Sequence, residues 1–233
     1  METFIVRPED DRPSHSAVIL YMDAPGVREE LYQFCRHIAE QGYYVLLPDL
    51  YYRLGKISFD YQKIMSGDVE ERQKMSNAKY SLSNQMIIED TGAILEFLAQ
   101  QSDVKQGPKG CIGYCMSGQF VMSVAASYPN DFAAVASLYG ENIVTDKADS
   151  PHLHVNKIKG TLYLGFAEND RYVPASIIPV LREQLDLYKI NYTLDIFPNT
   201  QHGFCFPARI VYAKEHAETV WQKVFALYKK ELH

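Results

Sequence analysis

Short apolar runs alternate with longer stretches of helical period along this chain. That alternation predicts an α/β fold, a mainly parallel sheet with helices on both faces. AVILYM (17–22), YYVLLP (43–48), KGCIGY (109–114), AAVASLYG (133–140), GTLYLGFA (160–167) and YTLDIFP (192–198) read as strands. Their almost unbroken apolar character is that of strands covered on both sides. Between them, REELYQFCRHIAEQG (28–42), the segment from Asn84 to Gln100, QFVMSVAASY (119–128), ASIIPVLREQLDLYK (175–189) and a last segment from Val211 to Lys230 read as helices. In the second of these, Met86, Ile87, Ile88, Ile94, Leu95, Phe97 and Leu98 supply a broad apolar face. Asp23-Ala24-Pro25-Gly26 breaks the chain after the first strand, and Pro129 stops the third helix. Residues 56–80 are polar and weakly periodic, which predicts a partly helical, lid-like excursion over the edge of the sheet.

With 47% hydrophobic and 22% charged residues, the 233-residue chain has the composition of a folded protein with a sizeable core. Glycines and prolines fall between elements instead of gathering into a linker, so a single domain over 1–233 is expected. The net charge of −6 is dispersed, and no basic cluster exceeds Lys229-Lys230, which argues against a nucleic-acid partner. METFIVRPEDDRP lacks a basic start followed by an apolar stretch, and no run approaches the ~18 apolar residues of a membrane span. A cytoplasmic protein without a membrane partner is expected. Cys35, Cys111, Cys115 and Cys205 are too scattered for a disulfide framework and read as free thiols in a reducing compartment. His152 and His154 could offer two metal ligands, but beside Pro151 they read as a polar loop, and no metal or other cofactor is expected.

In sheets of this kind, functional groups gather where loops leave the carboxyl ends of the strands. Four predicted strand-end loops carry Asp23, Cys115, Asp170 and His202. GYCMSG (113–118) sets Cys115 between small neighbours, after a strand and before a helix, the pattern of a sharp turn that holds a nucleophile out of the sheet. At the start of a helix, free backbone N–H groups favour a thiolate and can hold an oxyanion, with Met116 N–H the natural donor. A thiol nucleophile needs an imidazole base and a group that orients it. Cys115, then an acid, then His202 is the α/β-hydrolase order, with Asp170 and Glu168 both available as the acid. Cys35 and Cys111 read as buried fillers, and so does Cys205, although it lies close to His202. His15, His37, His216 and His233 read as ordinary hydrogen-bonded groups. GCIGYCMSG lacks the order of a nucleotide-binding glycine loop, and Tyr51 and Tyr52 are candidates for a pocket mouth.

GYCMSG together with PDLYYR (48–53), AENDRYVP (167–174) and HGF (202–204) resembles the dienelactone hydrolase family of α/β hydrolases, in order over almost the whole chain. The resemblance implies a Cys115–His202–Asp170 triad and hydrolysis of a small ester or lactone through a thioester acyl-enzyme. It also implies Ala24 N–H as a second oxyanion donor. Asp23 then stands in the place of a family glutamate that meets the resting cysteine. Three positions depart from the family pattern: Asp23 replaces that glutamate, Ser117 replaces a glycine, and Phe206 replaces an arginine that grips the substrate's carboxylate. Arg209, Arg53 and Arg171 are the candidate stand-ins for that arginine. The alternative function is a redox or electrophile sensor, in which Cys115 reacts without turnover and Cys111 resolves it.

Overall fold

The computed structural model describes residues 1–232, so His233 lies outside the described residues. Seven strands form the sheet: β1 (Thr3–Val6), β2 (Ala17–Tyr21), β3 (Tyr44–Pro48), β4 (Lys109–Tyr114), β5 (Phe132–Leu138), β6 (Thr161–Asn169) and β7 (Tyr192–Gln201). Their order across the sheet is β1-β3-β2-β4-β5-β6-β7, with every pairing parallel except β1 on β3. The helices are α1 (Glu29–Ala39), α2 (Tyr61–Ser66), α3 (Val69–Tyr80), α4 (Asn84–Ala99), α5 (Ser117–Ser127), α6 (Ile177–Leu187) and α7 (Lys214–Glu231). All six predicted strands and all five predicted helices are present, with ends shifted by up to three residues.

Every residue of β2, β3 and β4 is buried, which is why their sequences are continuous apolar runs without alternation. Leu31, Phe34, Cys35 and Ile38 of α1 and Ile87, Ile94 and Leu98 of α4 are buried as well. Each large apolar side chain taken from water in this way contributes roughly 1.5–3 kcal/mol before the entropy of ordering it. α5, which leads away from Cys115, is buried on nearly all sides, as its apolar sequence requires.

Two features were not predicted. β1 is a four-residue edge strand, half-buried throughout, whose TFIV run is too short to stand out beside a polar tail. Residues 56–80 are more helical than expected: α2 starts where Asp60 accepts from Lys63 N–H at 3.1 Å, and α3 where Asp68 accepts from Glu71 N–H at 2.9 Å. Gly67, at φ 95°, ends the first of these two helices. Ala78 is the one buried residue of α3, so no apolar stripe announces that helix in the sequence.

From β2 the chain steps to β3 on one side, and it later returns to place β4 on the other side of β2. The loops after β2 and β4 therefore diverge at this switch point and leave a crevice at the carboxyl edge of the sheet. Asp23 and Ala24 leave one side of it, and Cys115 leaves the other.

Candidate active site

Only Cys115 and Met116 separate the end of β4 from the start of α5. Reversing the chain in so short a space puts Cys115 at φ 57°, the left-handed region that a side chain enters at a cost of about 1–2 kcal/mol. Backbone bonds hold it there: Cys115 N–H donates to Leu138 O at 3.1 Å, and Cys115 O accepts from Gly118 N–H at 3.1 Å and Glu141 N–H at 3.0 Å. The motif's glycines are steric necessities. A Cβ on Gly113 would stand 2.4 Å from Ser117 O, and one on Gly118 would stand 2.2 Å from Gly140 Cα. Ser117 turns its hydroxyl to Met22 O at 2.5 Å and so ties the turn to the end of β2.

Asp170 follows β6 and His202 follows β7, both at the same edge of the sheet. Asp170 Oδ1 accepts from Tyr172 N–H (2.8 Å) and Val173 N–H (3.1 Å), which leaves Oδ2 to meet His202 Nδ1 at 2.7 Å. Asp170 is the acid on His202. Its rival Glu168 instead accepts from Asn199 N–H at 2.8 Å. With Nδ1 engaged, His202 Nε2 is buried and has no partner, while the rings of Tyr139 and Tyr172 flank the imidazole at 5.0 and 4.8 Å.

A third carboxylate stands between the thiol and the imidazole. Cys115 Sγ donates to Glu141 Oε1 at 3.2 Å, and His202 Nε2 lies 3.7 Å from the same oxygen. The other carboxylate oxygen accepts from Lys79, at the end of α3. Burial first, then the charges of Glu141 and Asp23, push the Cys115 thiol well above its ordinary range, with Arg209 and Lys79 pulling the other way. The direction agrees with the geometry, in which Sγ is placed to donate to Glu141 Oε1. Burial opposes the Lys79 ammonium, but the charge and hydrogen bond of Glu141 override it, so Lys79 titrates above its ordinary value.

Sequence reasoning missed both Glu141 and Lys79. Glu141 sits just past the predicted strand 133–140, in a fifth strand-end loop that was open to inspection. Lys79 lies in the polar excursion, where nothing set it apart from its neighbours.

The carboxylate on the cysteine is thus Glu141 and not Asp23. Asp23 is fully buried, with Oδ1 at 2.5 Å from Arg28 Nη1 and Oδ2 at 2.6 Å from Arg209 Nη2. Those ion pairs also hold Arg209 away from the role of a free substrate-gripping cation. Phe206, expected near the substrate, is fully buried between the guanidinium groups of Arg28 (4.9 Å) and Arg209 (4.5 Å). Tyr52 and Arg53 turn to Asp90 of α4, the arginine through two contacts of 2.7 Å, so their polar ends are not offered to Cys115. Arg171 is exposed and donates to Tyr172 Oη. Tyr51 is buried, and its hydroxyl donates to Ala24 O (2.8 Å) and meets Met116 Sδ (3.4 Å), spanning the two residues named as oxyanion donors. Among the described residues, no acceptor takes the N–H of either. A cavity of about 360 Å³ lies beside Tyr51, lined by Phe4, Tyr32, Phe59, Tyr61 and Arg28 among others, but Cys115, Asp170 and His202 are not part of its wall. His152 is buried and bonded to Ser150, and His154 is half-buried and bonded to Ala148 O, so the two do not converge on a metal position.

The four cysteines are free thiols. Cys111 is fully buried in β4, three residues before the end of the strand. At about 3.3 Å per residue the extended strand from Cys111 to Tyr114 spans roughly 10 Å, which seats Cys111 in the core of the sheet and Cys115 in the turn beyond its end, an arrangement that disfavours Cys111 as a resolving thiol. No helix among the described residues is long and apolar enough to cross a membrane.

Comparison with known proteins agrees with this architecture. The model of the dienelactone hydrolase family matches residues 1–232. The chain is 31% identical to the carboxymethylenebutenolidase homolog of Rattus norvegicus, over 76% of this chain and 68% of that protein. It is 29% identical to a protein of Synechocystis named "Putative carboxymethylenebutenolidase", over 94% of this chain and 87% of the relative. A solved structure from Klebsiella pneumoniae, described as a "Putative Dienelactone Hydrolase", superimposes with a TM-score of 0.82 at 20% identity, covering 98% of this chain and 92% of that one, and so shares its fold. The chain belongs to the dienelactone hydrolase family and is a hydrolase of the ester or lactone type with an α/β-hydrolase fold.

Proposed function

We propose that the chain hydrolyses a small ester or lactone through a covalent acyl-enzyme, with Cys115 as nucleophile, His202 as general base and acid, and Asp170 as the group that orients His202. The observation that carries the reading is the left-handed Cys115 beside an imidazole whose Nδ1 is bonded to Asp170 at 2.7 Å, leaving Nε2 buried and unpartnered. At rest the thiol proton is shared with Glu141 Oε1. When the carbonyl carbon takes up its position over Sγ, that proton passes to His202 Nε2 and the S–C bond forms. The carbonyl oxygen gains the negative charge and is met by the N–H groups of Met116 and Ala24. Collapse of this intermediate breaks the C–O bond, and His202 returns the proton to the leaving alkoxide. Water, deprotonated by His202, then attacks the thioester and releases the acid and Cys115.

Lys79 keeps Glu141 anchored while the proton moves, which ties the 56–80 excursion to the chemistry. The deciding experiment is steady-state hydrolysis of an activated short-chain ester, followed by a panel of lactones. Wild type is expected to turn over repeatedly, with Cys115→Ala and His202→Ala each lower by at least about a thousandfold. Full activity in Cys115→Ala would remove the nucleophile from the scheme.

A further inference from the structure

Cys115 Sγ, Glu141 Oε1 and His202 Nε2 lie within 4.8 Å of one another, with Sγ 3.2 Å and Nε2 3.7 Å from Oε1. Ligand bonds of about 2.0–2.3 Å at tetrahedral angles set neighbouring donor atoms roughly 3.3–3.8 Å apart. The two short separations in the cluster are close to that spacing before any side chain moves. We infer that Cys115, Glu141 and His202 form a binding site for Zn²⁺, and that the bound ion is a reversible inhibitor occupying the nucleophile and the base together.

The surroundings favour this ion over Mg²⁺ and Ca²⁺. His202 Nε2 is buried without a partner, and Asp170 on Nδ1 fixes the tautomer that leaves the Nε2 lone pair free. A carboxylate behind the imidazole is the arrangement that orients zinc-ligating histidines. Lys79 holds the second oxygen of Glu141, so Oε1 is presented alone and in a fixed direction. One sulfur, one imidazole nitrogen and one carboxylate oxygen suit Zn²⁺, whereas Mg²⁺ and Ca²⁺ call for all-oxygen sites. On binding, the S–H bond breaks, the Sγ–Zn bond forms and the proton leaves to water, with no change of oxidation state. Thiolate and carboxylate then balance the two charges of the ion, and water completes the fourth position. Metal binding is independent of the proposed catalytic scheme, and only its inhibitory consequence rests on it.

The test titrates metal-free protein with Zn²⁺ by calorimetry, and with Co²⁺ as a probe whose thiolate coordination gives an intense near-ultraviolet absorption. One ion per chain is expected, with ester hydrolysis lost in proportion to occupancy and restored by EDTA. Cys115→Ser should abolish the charge-transfer absorption. Glu141→Gln and His202→Ala should each weaken binding at least tenfold, and Asp170→Asn should do so less severely, while His154→Ala leaves it unchanged. Each variant is checked by its thermal melt, and Glu141→Gln, which changes least in shape, decides if another misfolds. Binding that survives Cys115→Ser and His202→Ala unaltered puts the ion elsewhere and overturns the inference, as does wild type binding no more Zn²⁺ than Cys115→Ser. If wild type hydrolyses no ester or lactone, the catalytic reading fails while the calorimetry and cobalt spectrum still report on the metal site.

Discussion

Replacing Glu141 by glutamine keeps the size of the side chain and removes a negative charge 3.2 Å from Cys115 Sγ. In wild type, ionising the thiol would set two like charges at that distance. Their repulsion is about 1.3 kcal/mol with water-like screening and about 5 kcal/mol at an effective dielectric near 20. Cys115 is only 6% exposed, so the real value lies well above the lower figure. Even the lower figure corresponds to roughly a tenfold larger thiolate population at fixed pH once the charge is gone. The freed Lys79 ammonium acts in the same direction, because it is among the charges that lower the thiol's pKa.

The assay is the rate of alkylation by iodoacetamide as a function of pH. A thiolate of lower basicity is also a weaker nucleophile, with a sensitivity of about 0.4–0.5, so a tenfold population gain appears as roughly a threefold gain in rate at fixed pH. The inflection of the pH–rate curve is the cleaner readout, and it should move to lower pH in Glu141→Gln. An inflection that stays in place, or moves up, would show that burial alone sets the state of the thiol and that the carboxylate is incidental.

Lys79→Met should act in the opposite sense: the thiol inflection rises, and the urea midpoint falls because a buried Glu141 left without its partner costs on the order of 3 kcal/mol. An unmoved inflection would contradict the role given to Lys79. Gly118→Ala drives a methyl to 2.2 Å from Gly140 Cα, so a loss of about 1–3 kcal/mol is expected from urea unfolding, and wild-type stability would refute the close approach of the two glycines. Burial raises Cys35 to about 12 from an ordinary 9.0 and pushes Cys111, Cys115 and Cys205 up as well, and it pushes the phenols of Tyr51, Tyr114, Tyr139 and Tyr228 above 10.0. Below pH 9.0 both states keep their thiol protons. Above it the unfolded chain releases protons that the folded chain retains, so stability is full at neutral pH and falls by about 1.4 kcal/mol per pH unit per thiol, roughly 5 for the four together. Urea midpoints at neutral pH and near pH ~10 measure this, and equal midpoints would overturn the burial argument.

How much of this could be read in advance depended on whether a feature left a periodic or steric mark. The strands β2 to β7 did, because burial on both faces demands consecutive apolar residues. The turn at Cys115 did too, because a Cβ at Gly113 or Gly118 would stand 2.2–2.4 Å from neighbouring backbone atoms, which leaves room for nothing larger than glycine. α3 left no such mark: a helix with one buried residue has no stripe, and only its Asp68 cap and the preceding Gly67 announce it. Glu141 was hidden for another reason. Its role depends on the left-handed Tyr139 (φ 38°) and Asn142 (φ 55°) either side of it, which bend the loop after β5 back to Cys115 O; asparagine tolerates a positive φ, but tyrosine is not a type that advertises one.

The departures at positions 23 and 206, read one at a time, look like a shortened acid and a lost cation. The structure makes them parts of one arrangement. Asp23 lies between Arg28 and Arg209, and the ring of Phe206 is stacked against the same two guanidinium groups. Arg209 comes from the chain just after His202 and Asp23 directly precedes Ala24, so this ion pair joins the histidine loop to the loop that carries an oxyanion donor. An arginine at position 206 would add a third cation beside Arg28 and Arg209 with one fewer aromatic surface to receive them, and a neutral residue at 23 would leave two buried guanidinium groups without their shared partner. Aspartate at 23 and phenylalanine at 206 therefore belong together with Arg209. The acid on the nucleophile is supplied from a different loop, by Glu141, because the carboxylate at the end of β2 is already held on both of its oxygens.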